Sequence, residues 1–370
     1  MTRVFALALV LAIAPSISAQ STKTHKTHTK AKPHAQTLNE DTRRAFIGHA
    51  NVWMPTDIPS MDLRAGPQGA GAFAPNVVVT CNYVEKAQLP GTSRKFDCAI
   101  TPDDVVKVRY GADNGKVEGE VLSSRLLWAL GFGADRVYPV TVRCRGCSPD
   151  PWNKRARVDG EQVFDPAAIE RTPPGHEMKE AGTKAGWFWT ELNSVDEADG
   201  GAPRAQRDAL KLLAVLIQHT DTKAVQQRLL CLPGGLRDNG TCDQPFMMLH
   251  DVGLTFGHAN FFNRTVTGSV NFDQWAPTPI WRDQKACVGH LSQSVTGTLG
   301  DPKISEAGRQ FLADLLVQLT DAQLHDLFAV ARVDRRSRKP NTSAPPASVD
   351  DWVAAFKHKR DEIASVHCPS

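Results

Sequence analysis

The chain has 370 residues, 41% of them hydrophobic and 22% charged, enough for a packed core and, on length alone, for about two domains or one large two-part domain. Forty-three Lys and Arg against forty Asp and Glu leave a net charge of +3, so bulk charge offers no support for a duplex-DNA binder. The composition also excludes collagen-like, coiled-coil and largely disordered chains.

Residues 1–19 read as a signal peptide. Arg3 supplies the positive start, Val4 to Ala14 form an apolar run, and Ser16, Ser18 and Ala19 offer small residues for cleavage. That run is shorter than the roughly twenty residues a membrane helix needs, and no other stretch reaches that length. The expectation is an exported protein without stable membrane insertion, in a periplasm, a cell envelope or the extracellular space. Eight cysteines fit an oxidising compartment, and proximity suggests Cys81–Cys98, Cys144–Cys147, Cys231–Cys242 and Cys287–Cys368. Cys144-Arg-Gly-Cys147 could instead be a redox or metal pair, although a zinc site would lack its second pair.

Residues 20–37 are polar, rich in Lys and His and free of acids, which suits a flexible tether. Residues 38–75 form a Pro- and Gly-rich extension with a helical patch before Trp53. Strands are expected over 77–84, 95–100, 104–110 and 137–142, with a helix over 118–130 that Gly131 closes. From residue 144 the pattern turns mainly helical. Helices are expected over 205–219, 304–320, 321–332 and 349–365, with a hairpin over 228–232 and 246–249. The predicted division is therefore a sheet-rich part over 76–143 and a helical part over 144–370.

Four elements stand in the order that phosphoryl transfer requires. The loop Gly91-Thr92-Ser93-Arg94-Lys95 lies between two strands, lacks bulk and can present backbone N–H groups and a cation to phosphates. Lys107 is a cation on an apolar strand, and Glu120, with Glu118 as its rival, opens the next helix. A strand lysine held by a helix glutamate positions nucleotide phosphates in kinases. Asp221 follows a long amphipathic helix, with Lys223 in the same loop and Gln226 (or Gln227) five residues on. Asp251-Val-Gly253 follows the hairpin. Asp221 can accept a hydroxyl proton, while Asp251 and Gln226 offer hard oxygen ligands to a divalent ion. No HExxH motif or Gly-x-Ser-x-Gly elbow appears, and His176, His250, His258 and His290 read as structural.

This ordered set resembles the protein-kinase-like superfamily, in its atypical branch of HipA-type and phosphatidylinositol-kinase-like proteins. Gly91 to Phe96 is similar to the phosphate loop of that branch, Glu120 falls in its first helix, His219-Thr-Asp-Thr-Lys223 resembles its catalytic loop, and Asp251-Val-Gly253 resembles its metal-binding motif. The resemblance implies a two-lobed α/β fold, with a small antiparallel-sheet lobe and a mainly helical one. ATP would lie under Gly91, Thr92, Ser93 and Lys95 with Lys107 held by Glu120, Mg²⁺ or Mn²⁺ on Asp251 and Gln226, and Asp221 and Lys223 at the acceptor. Gln226 departs from the usual Asn, and Lys223 from a frequent His. The acceptor could be a protein, glycan or lipid, and the expected state is a monomer with no nucleic-acid partner. Two other classes use the same residues: a catalytically degenerate binding protein of the envelope, and a metal-dependent hydrolase.

Overall fold

Three local signals build the described chain: strands dense in β-branched residues, capped helices, and cysteines close enough to bridge. The structure, a computed structural model, describes residues 37–86, 89, 91–180, 186–260, 268–291, 297–336 and 345–369, all within one compact unit, 35–370. The expected signal peptide and nearly all of the tether lie outside the described residues. Strand β1 (Thr37–Leu38) leads into α1 (Glu40–Gly48), whose start is capped by the Asn39 side chain accepting the Thr42 N–H at 2.8 Å. Then come β2 (Val77–Val84), β3 (Lys95–Thr101), β4 (Asp104–Tyr110), α2 (Lys116–Ala129), β5 (Arg136–Arg145) and β6 (Glu161–Arg171).

These five longer strands close into a barrel in the order β2-β3-β4-β6-β5. The small antiparallel sheet expected from sequence is corrected in two ways. β2 closes the barrel by pairing with β5 in parallel, Val77 opposite Val140, and β6 inserts between β4 and β5. β6 lies past residue 143, in the part read as helical, and it escapes notice because Pro166 argues against an interior strand. The sheet absorbs that proline where the register on β5 shifts between Val140 and Val142. Val106, Val108 and Tyr110 of β4 point into the barrel core with Phe96, Cys98, Val140 and Phe164. Lys107 and Arg109 therefore share the opposite face, because side chains alternate along a strand.

The remainder runs β7 (His176–Glu177), β8 (Lys179–Glu180), α3 (Arg204–Leu216), β9 (Gln227–Cys231), β10 (Pro245–Leu249), α4 (Phe272–Trp275), β11 (Trp281–Asp283), β12 (Val288–Gly289), α5 (Glu306–Leu316), α6 (Asp321–Val330) and α7 (Val349–Ser365). β8 pairs in parallel with β1, β7 extends the β9–β10 hairpin, and β11 pairs with β12. The side chains of Ser305, Thr320 and Ser348 each accept a backbone N–H three residues on, which sets the starts of α5, α6 and α7. A second hydrophobic core joins α2, α3, α5, α6 and α7, with Trp275 stacked on Trp352 at 5.3 Å. The chain is thus mixed α/β.

All four disulfides suggested by proximity form, including Cys144–Cys147 and the Cys287–Cys368 bridge that ties the C-terminus back to the body. Among the described residues no helix is long and apolar enough to cross a membrane. Helix α2 is buried nearly all round, charged residues included, rather than presenting one apolar stripe. It packs on β5, β6 and α6, and it is the element that brings Glu120 to the site.

Candidate functional site

A cleft of about 820 Å³ opens between the loop before β3, the outer faces of β3 and β4, the start of α2, and the segments at 220–226 and 250–254. It contains Gly91, Thr92, Ser93, Lys95, Lys107, Asp221, Lys223, Gln226 and Asp251, residues scattered over the sequence that the fold brings together. Glu120 meets the cleft through its partner.

That partner is the main correction. Lys107 does not meet Glu120; it pairs with Glu170, the residue directly opposite it on β6. Arg109, two residues further along the same face, donates from Nε to Glu120 Oε2 at 2.5 Å and from Nη1 to Ser93 Oγ at 2.7 Å. Its Nη2 reaches Asp251 Oδ2 at 3.3 Å. Two strand residues advance about 6.6 Å, which takes the cation from the β6 wall to the start of α2. Arg109 and Glu120 are 2% and 1% exposed, so this is a buried ion pair, one that also anchors the 91–95 loop through Ser93. Burial pushes the Glu120 carboxyl up to about 8 against the opposing pull of Arg109. The rival Glu118 is also buried, which pushes it up to about 7, and it forms no ion pair among the described residues.

Lys116, which no motif singled out, holds Asp251 with both carboxylate oxygens at 2.8 and 2.9 Å from Nζ. Burial alone would raise Asp251, but Lys116 and then Arg109 hold its carboxyl well below the usual range. The close approach of α2 to this turn depends on two glycines. A Cβ on Gly119 would sit 2.5 Å from the Gly253 carbonyl oxygen, and one on Gly253 would meet Lys116 and Glu120 side-chain carbons at 3.0 Å. Gly253 has no positive φ, so what requires glycine here is its contact with α2.

On the other side, Gln226 Nε2 donates to Asp221 Oδ2 at 2.7 Å and Lys223 Nζ meets Asp221 Oδ1 at 2.9 Å. Gln226 ends a single 3₁₀ turn over Ala224–Gln226, and its carbonyl accepts the His250 N–H at 2.8 Å and the Asp251 N–H at 3.4 Å. The β9–β10 hairpin, with Leu249 opposite Gln227, thus fixes the two aspartates relative to each other. Gln227 faces away: once its amide is oriented to satisfy its neighbours, its oxygen accepts from Trp189 Nε1.

In the loop before β3, Lys95 is buried, which pushes its ammonium down to about 8, helped by the nearby charges of Arg109 and Lys116. Its Nζ lies 5.0 Å from the Trp152 ring centroid. His219 is fully buried with neither ring nitrogen hydrogen-bonded, and burial pushes it down to about 4. His250 lines the cleft, pairs with Asp135 and sits beside Arg228. Asp135, Glu170 and His250 offer ligand atoms within 4.8 Å of one another, but Lys107 and Arg228 already balance their charge.

Taken together, the cations Lys95, Lys107, Arg109, Lys116 and Lys223 line one cavity with the acids Asp221 and Asp251, and Arg109 and Lys116 lie within ion-pair distance of Asp251. Such an arrangement can hold a polyanion and present a carboxylate to a hydroxyl. The oxygen donors of Asp251 and Gln226 fit a hard divalent ion in chemistry, although Lys116 now spans both oxygens of Asp251. Arg109 and Lys116 were the residues missed. The signal for Arg109 was its i+2 position from Lys107 on one strand face; Lys116, at the mouth of the helix, gave none.

No protein-family model matches the sequence, and no curated protein matches it. Among solved structures the chain is similar to the proinflammatory kinase CtkA of Helicobacter pylori, with a TM-score of 0.39 and 11% identity over 79% of this chain and 95% of that one. A similarity this loose shows neither the fold nor the activity of the present chain.

Proposed function

We propose that the cleft binds ATP and transfers its terminal phosphoryl group to a hydroxyl acceptor, in a two-lobed, kinase-like protein acting outside the cytoplasm. The observation that carries this reading is the convergence of Asp221, Gln226 and Asp251 on one cavity, with the buried Arg109–Glu120 pair reaching Asp251 through the Arg109 guanidinium. The phosphates would lie against Gly91 to Lys95, with Lys95, Arg109 and Lys116 offsetting their charge. Arg109 takes the part expected of Lys107. Asp221, oriented by Gln226 and Lys223, accepts the acceptor's proton. Asp251 and Gln226 would hold Mg²⁺ or Mn²⁺, which when bound neutralises phosphate charge. The finer likeness to the HipA-type branch rests on the order of the motifs, and action outside the cytoplasm on the leader and the four disulfides.

One observation favours a second reading, a binding protein without turnover. Each aspartate is already paired with a lysine, Asp221 with Lys223 and Asp251 with Lys116. Only the first reading requires nucleotide binding and transfer; the second binds a partner or a nucleotide. The test is thermal unfolding of the oxidised protein with and without ATP and Mg²⁺ or Mn²⁺, followed by an acceptor-independent assay of ATP turnover. At a hundredfold the dissociation constant a ligand of the folded state adds about 2.7 kcal/mol. The shift should depend on metal and be lost in Asp251→Asn. Stabilisation without turnover selects a nucleotide-binding protein, and no stabilisation by any nucleotide or metal rejects the phosphotransferase and selects partner binding.

A further inference from the structure

A second concavity, of about 460 Å³, adjoins the loop that carries Asp221. Its walls carry four cations: Arg204, Arg207 and Lys211 from α3, and Lys303 from the segment before α5. Asp208, the one lining acid among the described residues, is buried and already engaged by Lys211 at 3.1 Å, Arg204 at 3.4 Å and the Ser305 N–H at 3.2 Å. Arg207 donates to the Leu192 carbonyl at 2.7 Å and to Glu197 at 2.9 Å, and its buried Nε has no partner. Lys303 is exposed and forms no ion pair among the described residues. Positive charge therefore exceeds negative in a concave site, a condition that favours a multiply charged anion. Leu299 and Pro302 add apolar lining, and the volume is in the range of pockets for small organic molecules rather than a bare ion.

We propose that this pocket binds a phosphate monoester, with the phosphate among Arg204, Lys211 and Lys303 and the organic part against Leu299 and Pro302. The pocket is bonded directly to the neighbour of Asp221. Thr298 Oγ1 donates to the Thr222 carbonyl at 2.8 Å and accepts the Trp189 N–H at 3.1 Å. The N–H groups of Thr298 and Leu299 donate to Thr222 Oγ1 at 3.1 and 3.2 Å. A ligand seated on Leu299 and Pro302 thus steadies the 298–299 backbone that is bonded to Thr222, next to Asp221. This link to the reacting acid rests on the proposed phosphotransferase reading; the binding site itself does not.

The experiment is isothermal titration of the oxidised protein with phenyl phosphate and with inorganic phosphate, with no nucleotide or metal present. Wild type should show saturable binding, tighter for phenyl phosphate. The double variant Arg204→Glu/Lys303→Glu, altered at two exposed side chains and checked for an unchanged melting profile, should weaken that binding at least about tenfold. Lys86→Glu, on the rim of the first cleft, should leave it unchanged. Binding absent from wild type, or unaltered in the double variant, overturns the site, and equal affinity for the two probes overturns its assignment to an ester. Because no nucleotide enters the titration, these results stand whether or not ATP binds the first cleft.

Discussion

Replacing Arg109 with Met tests the correction on which the site reading depends. The guanidinium is buried and contacts Glu120, Ser93 and Asp251 at 2.5, 2.7 and 3.3 Å. Its loss leaves the Glu120 carboxylate buried without a cation, and breaking a buried pair in this way costs about 3–5 kcal/mol. The cost should depend on pH. The Glu120 carboxyl is raised to about 8 in the folded protein, from 4.5, so its contribution to stability is complete below about 4.5 and is lost as pH rises through 8. Without Arg109 the carboxyl rises further, and the loss extends to higher pH. Arg109→Met should therefore be more damaging at pH 9 than at pH 6. In Arg109→Met/Glu120→Leu both charges are gone, and most of the lost stability should return, to within about 1–2 kcal/mol of wild type. The assay is urea unfolding with disulfides intact at both pH values. A single variant costing less than about 1 kcal/mol at pH 9, or a double variant no better than the single, would refute the argument. Lys107→Met, whose partner pair is more exposed, should cost less than Arg109→Met at either pH.

Three further outcomes are expected. His219 is held neutral by burial, with its pKa lowered to about 4 from 6.5, so stability present above pH 6.5 should fall by roughly 3 kcal/mol towards pH 4. His219→Leu should flatten that part of the urea-measured pH profile, and an unchanged slope would show the ring is not so held. Lys116→Met removes the ammonium that spans Asp251, so Mn²⁺ should bind several-fold more tightly, as read from the paramagnetic resonance of free Mn²⁺; weaker binding would place Lys116 on the ligand side rather than in competition. Replacing Cys287 and Cys368 with Ser opens a loop with a sequence separation of 81 and should cost roughly 4–5 kcal/mol by loop entropy, against roughly 3 for Cys231 and Cys242 with a separation of 11. Denaturant melts of the two double variants check the order, and a reversed order would put native contacts ahead of loop length.

Much of the local structure was legible because short-range rules decide it. Strands 77–84 and 104–110 and helix 349–365 coincide with the sequence pattern, since β-branched runs and an N-capping serine need no distant partner. The disulfide pairs followed from proximity in the chain. The helix expected from residue 304 begins at 306 because the Ser305 side chain takes the Gly308 N–H, a cap visible in sequence but overridden there by the apolar period.

The sequence by itself determined the alternation that puts Lys107 and Arg109 on one strand face, the acidic residues at 120, 221 and 251, and the hairpin between the last two. Only the tertiary structure decided which cation meets which acid. Glu170 arrives opposite Lys107 on β6, a strand concealed by its proline, and so leaves Arg109 to Glu120. Lys116 reaches Asp251 because Gly119 and Gly253 let α2 and the 251–253 turn approach closely. Partner choice among buried charges is a comparison of distances and desolvation across elements far apart in the chain, and periodicity along the chain carries no information about it.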